Sequence, residues 1–194
     1  MILKAQLGDI TKIPVDAIVH SVQSSRGVDG VILEAAGTEL GEEYLNNLPT
    51  FLYVEGGEYT GCPIAEVVVT KAYRLPAKYV LHTVGQSWKP QYVDRTGRSL
   101  APHWDAGLSL CYKHCLAKAV ELQAKSISFP LVGRAYPLER EARIAVLTAL
   151  YVPGPDDMEV IFVCPDQKAL DVYSYVLSKG RSLIDKSTGA VLGL

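Results

Sequence analysis

The sequence carries little net charge and no long hydrophobic run, and both lacks are informative. The formal net charge is −2 over 194 residues. With no overall attractive field, contact with nucleic acid would need a local basic patch, so nucleic acid is not expected as a partner. No apolar run approaches the ~20 residues of a membrane helix, and no membrane association is expected. The first residues, Met1-Ile2-Leu3-Lys4, lack the charged region, apolar region and cleavage site of a signal peptide, which predicts a cytoplasmic or nuclear location. Cysteine is sparse: Cys62, Cys111, Cys115 and Cys164. Cys111 and Cys115 would share a helix face beside His114, but structural zinc takes four ligands and no second pair at ligand spacing exists. The cysteines therefore read as small buried hydrophobes, and neither metal nor cofactor is expected.

What is present is the composition of an ordinary globular protein, 48% apolar and 21% charged. The length fits one domain, taken as residues 1–180, with a tail over 181–194. Short apolar runs alternate with helical patterns, the signature of an α/β fold. Strands are predicted at Ile2–Leu7, Ala17–His20, Glu66–Thr70, Tyr79–Val84, Ser126–Phe129 and Val160–Cys164. Helices are predicted at Asp29–Ala36, Trp104–Lys125, Leu138–Leu150 and Gln167–Leu177. The third of these strands to the last lie among Val-rich or Pro-bounded runs, while Leu108, Cys111, Cys115, Leu116, Ala119 and Leu122 recur at helical spacing. Gln86–Pro102 holds Pro, Gly, Asp and Ser without periodicity and reads as a long loop. No internal repeat is found.

Three segments leave a strand and turn through glycine: Leu7 to Asp9, Val19 to Gly30, and Phe129 to Tyr136. In an open α/β sheet, ligands bind outside the carboxyl ends of the strands, where these turns would lie. Gly27 and Gly30 flank a helix start, whose free N–H groups favour a phosphate, and Gly133 would let further amides approach one. Two facing loops of this kind suit a diphosphate-bridged ligand.

The order of these pieces resembles the macrodomain family. The first part is Gly8-Asp9-Ile10-Thr11, Val15-Asp16-Ala17-Ile18-Val19, Gly27-Val28-Asp29-Gly30 and Ala35-Ala36-Gly37. The second is Leu75-Pro76-Ala77-Lys78-Tyr79-Val80-Leu81-His82-Thr83-Val84-Gly85, and the third is Ser128-Phe129-Pro130 with Ile161-Phe162-Val163-Cys164. The resemblance spans roughly residues 2–178 and is similar to the bacterial branch of O-acetyl-ADP-ribose deacetylases and mono-ADP-ribosylhydrolases. It implies a three-layer α/β/α fold with a central mixed sheet and a cleft for ADP-ribose, free or attached to protein.

The resemblance also assigns roles. Asp9, beside the Ile10 backbone, matches the acid that accepts the adenine amino group, though an Asp there can equally cap the following turn. Asp29 matches the acid that orients water near the distal ribose, and a first-turn helix carboxylate is the alternative. Tyr136 matches the aromatic on the distal ribose, with core packing as the alternative. Val28, Gly30, Val132, Gly133 and Ala135 belong to the two phosphate loops.

The departures from the family lie at the site. The hydrolytic Asn-Ala-Ala-Asn stretch reads His20-Ser21-Val22-Gln23, and only Ser24-Ser25-Arg26 separates it from Gly27. The family's Ser-(Thr/Ala)-Gly-Ile-Tyr-Gly is reduced to Val132-Gly133-Arg134-Ala135-Tyr136-Pro137, and the position of the adenine-stacking aromatic is Pro165. Each shortened loop gains an arginine, Arg26 and Arg134, whose guanidinium binds phosphate bidentately. Gln23 could bond a ribose hydroxyl, and His20 is an acid/base candidate or a structural strand residue. Three readings stay open: a recognition module with weak or no hydrolysis, an ADP-ribosyl hydrolase or O-acetyl-ADP-ribose deacetylase, and an interaction scaffold with a vestigial cleft.

Overall fold

A computed structural model describes residues 1–22, 30–52, 58–60, 62–85, 87–89 and 91–180. Gln23, Arg26, Gly27, Val28, Asp29 and the tail over 181–194 lie outside the described residues.

The chain runs β1 (Ile2–Leu7), a 3-10 turn (Ile10–Lys12), β2 (Ala17–Val22), α1 (Gly30–Ala36) and α2 (Thr38–Asn46). It continues with β3 (Thr50–Leu52), β4 (Glu58–Thr60), β5 (Val67–Lys71), β6 (Tyr79–Val84) and α3 (Ala101–Glu121). The last elements are β7 (Ser126–Phe129), α4 (Leu138–Tyr151), β8 (Glu159–Cys164) and α5 (Gln167–Lys179). Six strands form one sheet in the order β1-β8-β7-β2-β6-β5, and β3 and β4 pair separately. β5 runs antiparallel to β6, while the other neighbours are parallel. The sheet is thus mixed, with helices on both faces.

Alternation along the strands sorts the core into two layers, since successive side chains point to opposite faces. Ala17, Val19, Leu81, Ile127, Phe129, Val160 and Phe162 pack with α3, α4 and α5. Ile18, Val80, Ile161 and Val163 pack with α1 and α2. Both faces are covered, so these strands read as continuous apolar runs rather than alternating ones. Phe162 is the hub of the larger layer, with ring centroids 6.1 Å from Phe129, 6.4 Å from Tyr112 and 5.2 Å from Tyr173.

The elements differ from expectation where capping overrides periodicity. The longest helix begins at Ala101 rather than Trp104, because a proline in the first turn gives up only an N–H that has no helical partner. It ends at Glu121 rather than Lys125. Gln123 takes a left-handed conformation, φ 56°, and the Ala124 N–H reaches back to the Ala119 carbonyl, closing the end. The helix α2 was not anticipated, although Leu40 and Tyr44, four apart and fully buried, carry its signal. The β3–β4 pairing was also missed.

Two buried histidines meet on the α2 side. His20 and His82 are register partners on β2 and β6, with Nδ1 to Nδ1 at 3.1 Å, so one ring donates and the other accepts. The second ring nitrogen of His82 bonds the Thr70 hydroxyl at 2.9 Å, and Tyr44 packs on the same ring. Desolvation, with the neighbouring His20, holds His82 well below the usual imidazole range, so it stays neutral.

Phe162→Ala should cost about 3–5 kcal/mol of stability, because its neighbours come from three elements and cannot all collapse into the void. Urea denaturation monitored by circular dichroism measures this, and a loss under about 1 kcal/mol would remove Phe162 from the centre of the core.

Candidate functional site

The turns after Leu7 and after Phe129 meet at one place, with the start of α1 beside them. A cavity of about 350 Å³ opens at the carboxyl ends of β1, β7 and β8, walled by Gly8, Asp9, Ile10, Val31, Pro130, Leu131, Val163 and Pro165. Four segments distant in sequence therefore build it, because parallel strands deliver their loops to the same sheet edge. Its walls are apolar except for Asp9. A larger cavity, about 540 Å³, lies between the faces of α3 and α4 around Ala106, Ile144 and Leu147. It touches no strand end, and the strand-end cavity is the one that the fold supplies with loop donors.

Asp9 is both exposed wall and cap. Its Oδ1 accepts from the Thr11 N–H at 2.9 Å and the Thr11 hydroxyl at 2.7 Å, which starts the 3-10 turn. Those two bonds hold its carboxyl below the usual range, so it is ionised at neutral pH. Oδ2 is the oxygen left to face an incoming donor.

The second loop, Val132 to Tyr136, is fastened from three sides. Ser21 on β2 donates its hydroxyl to the Val132 carbonyl at 3.0 Å. Gly85, at the exit of β6, lies so close that a Cβ there would stand 2.2 Å from the same carbonyl oxygen. The Trp88 N–H donates to the Arg134 carbonyl at 2.8 Å. Beneath the loop, Glu141 of α4 is buried, 2% exposed. Its Oε1 accepts from the Gly133 N–H at 2.8 Å and from the Tyr112 hydroxyl at 3.2 Å. Burial pushes this carboxyl up to about 7, opposed by the Gly133 amide, the Tyr112 hydroxyl and the Val132 amide. Trp88 also stacks near Tyr136, with centroids 5.1 Å apart, and carries the Arg140 guanidinium 4.7 Å from its ring. Arg140 in turn forks onto Asp105.

The Macro domain family model matches residues 15–145. A macro domain-containing protein of Chlorobaculum tepidum is 34% identical over 190 residues, covering 93% of this chain and 98% of its own length. The chain belongs to the macrodomain family. Another relative of this macrodomain, from Enterobacter cloacae, is named O-acetyl-ADP-ribose deacetylase and is 35% identical over 188 residues, covering 91% of this chain and 94% of its own. A variant of the Oceanobacillus iheyensis macrodomain solved with ADPR superposes with a TM-score of 0.71 at 30% identity, covering 93% of this chain and 92% of that one.

Against the expectations for this macrodomain, Asp9, Ile10 and Pro165 stand in the cavity wall. Gly30, exposed, opens α1 in the left-handed region with φ 70°, a conformation that glycine adopts without strain. Arg134 and Ala135 are exposed on the second loop. Three assignments are corrected. The Gly133 amide turns inward to Glu141 rather than outward to a phosphate, because a buried carboxylate needs donors and the loop supplies them. Tyr136 is buried against Trp88 rather than facing a ribose. Ala135, beside it, takes a left-handed conformation, φ 57°. His20 is buried in its contact with His82 and is not part of the cavity wall. Sequence reasoning missed Gly8, Val31, Pro130, Leu131 and Val163 as walls. For Val163 the signal was period 2: it shares a face with Ile161, one step before the strand's end.

The two buried titrating groups act on stability in opposite senses. His82 has a folded value below its unfolded one, so below about pH 6.5 the unfolded chain takes up a proton that the fold refuses, and stability falls with pH. Glu141 has a folded value of about 7 against 4.5, so the fold binds its proton more tightly and gains stability as pH falls from 7 toward 4.5. Wild type should therefore vary little between pH 7 and 5. Glu141→Gln should expose the histidine slope, a loss of up to about 1.4 kcal/mol per pH unit below pH 6.5. Urea midpoints at pH 7.5, 6 and 5 test this, and parallel profiles for the two proteins would contradict it.

Proposed function

We propose that this macrodomain binds ADP-ribose or a closely related nucleotide at the strand-end cavity, as a recognition module with weak or no hydrolysis. The observation that carries the reading is the apolar slot of about 350 Å³ with a single ionised carboxylate, Asp9, in its wall. A purine needs apolar faces and an acceptor for its amino group, and Asp9 Oδ2 supplies the acceptor. The diphosphate then extends toward the second loop, where Arg134 offers a planar fork. Arg26 is expected to supply another from the first loop, with Gln23, Gly27 and Val28. The relative solved with ADPR supports the ligand class. The partner would be ADP-ribose itself or a protein carrying it, met in the cytoplasm. Among the described residues no helix is long and apolar enough to cross a membrane.

The enzymatic reading rests on the relative named O-acetyl-ADP-ribose deacetylase. It requires Asp29 to position water, and the missing asparagines and shortened first loop weigh against efficient turnover. A catalytic carboxylate displaced by about 1 Å loses on the order of a hundredfold in rate.

Calorimetric titration should show ADP-ribose binding ahead of AMP, with Asp9→Ala weaker by about 1.5–3 kcal/mol at unchanged fold. Equal affinity in that variant would take Asp9 out of the site. Arg134→Ala should also weaken ADP-ribose and ADP but leave AMP nearly unaffected, and Lys at 134 should restore only part of the loss. Release of ADP-ribose from modified protein should be absent or slow. Fast release that vanishes in Asp29→Ala would establish the enzymatic reading instead.

A further inference from the structure

Glu141 is a buried carboxyl that is not part of the wall of the adenine slot. It lies under the second loop, 2% exposed, and an unpaired buried charge is costly. Among the described groups no cation pairs with it. What it has instead are donors: the Gly133 N–H at 2.8 Å, the Tyr112 hydroxyl at 3.2 Å and the Val132 amide. Two successive backbone amides with a hydroxyl are the donor set that such a loop would otherwise offer to an external anion. Here the chain fills it from beneath with its own.

The consequence for the loop is mechanical. The Gly133–Arg134 peptide is held at both ends: its neighbour amide at Gly133 is drawn inward by Glu141, and the Arg134 carbonyl receives the Trp88 N–H. Between these fixed points and the left-handed Ala135, the Arg134 side chain stands exposed. Space beneath is tight, because a Cβ at 133 would meet the Glu141 carboxyl carbon at 3.2 Å and the Tyr136 ring at 2.8 Å.

We propose that Glu141 is the positioning residue of the second loop: its ionised carboxylate holds Val132–Tyr136 in the shape that presents Arg134 to a diphosphate, and its protonation releases that shape. The part concerning ligand rests on the nucleotide-binding reading above. The switch falls in the neutral range, because burial raises the carboxyl to about 7. The titratable groups around it are Tyr112 from α3, Tyr173 from α5 and Tyr136 from the loop, and burial pushes all three phenols upward. None of them ionises near neutrality, so Glu141 is the group of this cluster that changes charge there. Arg140, which acts on Tyr136 and is raised further by its hydrogen bond to Asp105, stays a cation over the same range.

The test has a ligand-free arm and a ligand arm. The chain has two tryptophans, and Trp104→Phe leaves Trp88, which touches the loop, as the reporter and removes the one beside His103. In that background Trp88 emission should titrate with a midpoint near 7, and adding Glu141→Gln should abolish the transition. Tyr112→Phe removes a donor to the carboxylate and should move the midpoint upward, a shift that a packing role alone would not give. With ADP-ribose, affinity should fall about tenfold from pH 8 to pH 6, as the competent fraction falls. Glu141→Gln at pH 8 should bind no tighter than wild type at pH 6 and show no pH dependence. A Trp88 signal indifferent to Glu141→Gln, or identical pH profiles of affinity, overturns the proposal, and affinity that rises on acidification would make the carboxylate a competitor of the ligand instead. If wild type binds no ADP-ribose at any pH, the function reading fails while the Trp88 titration still decides the loop coupling. If Glu141→Gln does not fold by circular dichroism, the Tyr112→Phe midpoint decides.

Discussion

Parallel strands end together, and the rest of this molecule follows from the peptide groups they leave unpaired. Beyond Leu7, Phe129 and Cys164 the backbone leaves the ladder at one end of the sheet. Buried N–H and C=O groups there must find partners elsewhere. The chain answers with side chains, one from a distant strand and the others from nearby in sequence. Ser21 takes the Val132 carbonyl, Glu141 the Gly133 amide and Asp9 the Thr11 amide. Trp88 adds a backbone donor of its own for Arg134.

The cleft and the second loop use their polar groups differently. The strand-end cavity has walls from Ile10, Val31, Leu131 and Val163 with one carboxylate, Asp9. The second loop has committed its Gly133 amide to the protein itself, through Glu141. In the nucleotide-binding reading proposed above, side-chain charge would take over there from glycine-rich backbone, at a greater entropy cost per contact.

The fold was legible because strand composition and helix period agree. Ile2–Leu7, Tyr79–Val84 and Ser126–Phe129 were read with their observed limits, since each is a Val- or Ile-bearing run bounded by Gly, Pro or a turn. The helix α2 escaped because it follows α1 after a single glycine and its apolar pair, Leu40 and Tyr44, is brief. Of the candidate site residues, Asp9, Ile10 and Pro165 line the strand-end cavity, because their motifs sit directly at strand ends. Tyr136 is buried against Trp88, a packing partner far enough along the chain that the loop sequence does not announce it. Glu141 was invisible: a lone Glu in the sequence Leu138-Glu139-Arg140-Glu141 reads as a solvated helix face, and nothing local says that the loop folds over it.

The last strand in the chain is not at the edge of the sheet. β8 lies between β1 and β7, and its residues 159–164 supply Val163 to the cleft wall and Phe162 to the aromatic hub. During synthesis, β1 has no neighbour until more than 150 residues have followed it. Such long-range closure slows folding, because chain entropy is lost before the contacts that repay it can form. Until β8 is made, β1 has no ladder partner and the cavity lacks Val163 and Pro165, so the strand-end cavity is completed in the same step that joins β1 to the sheet.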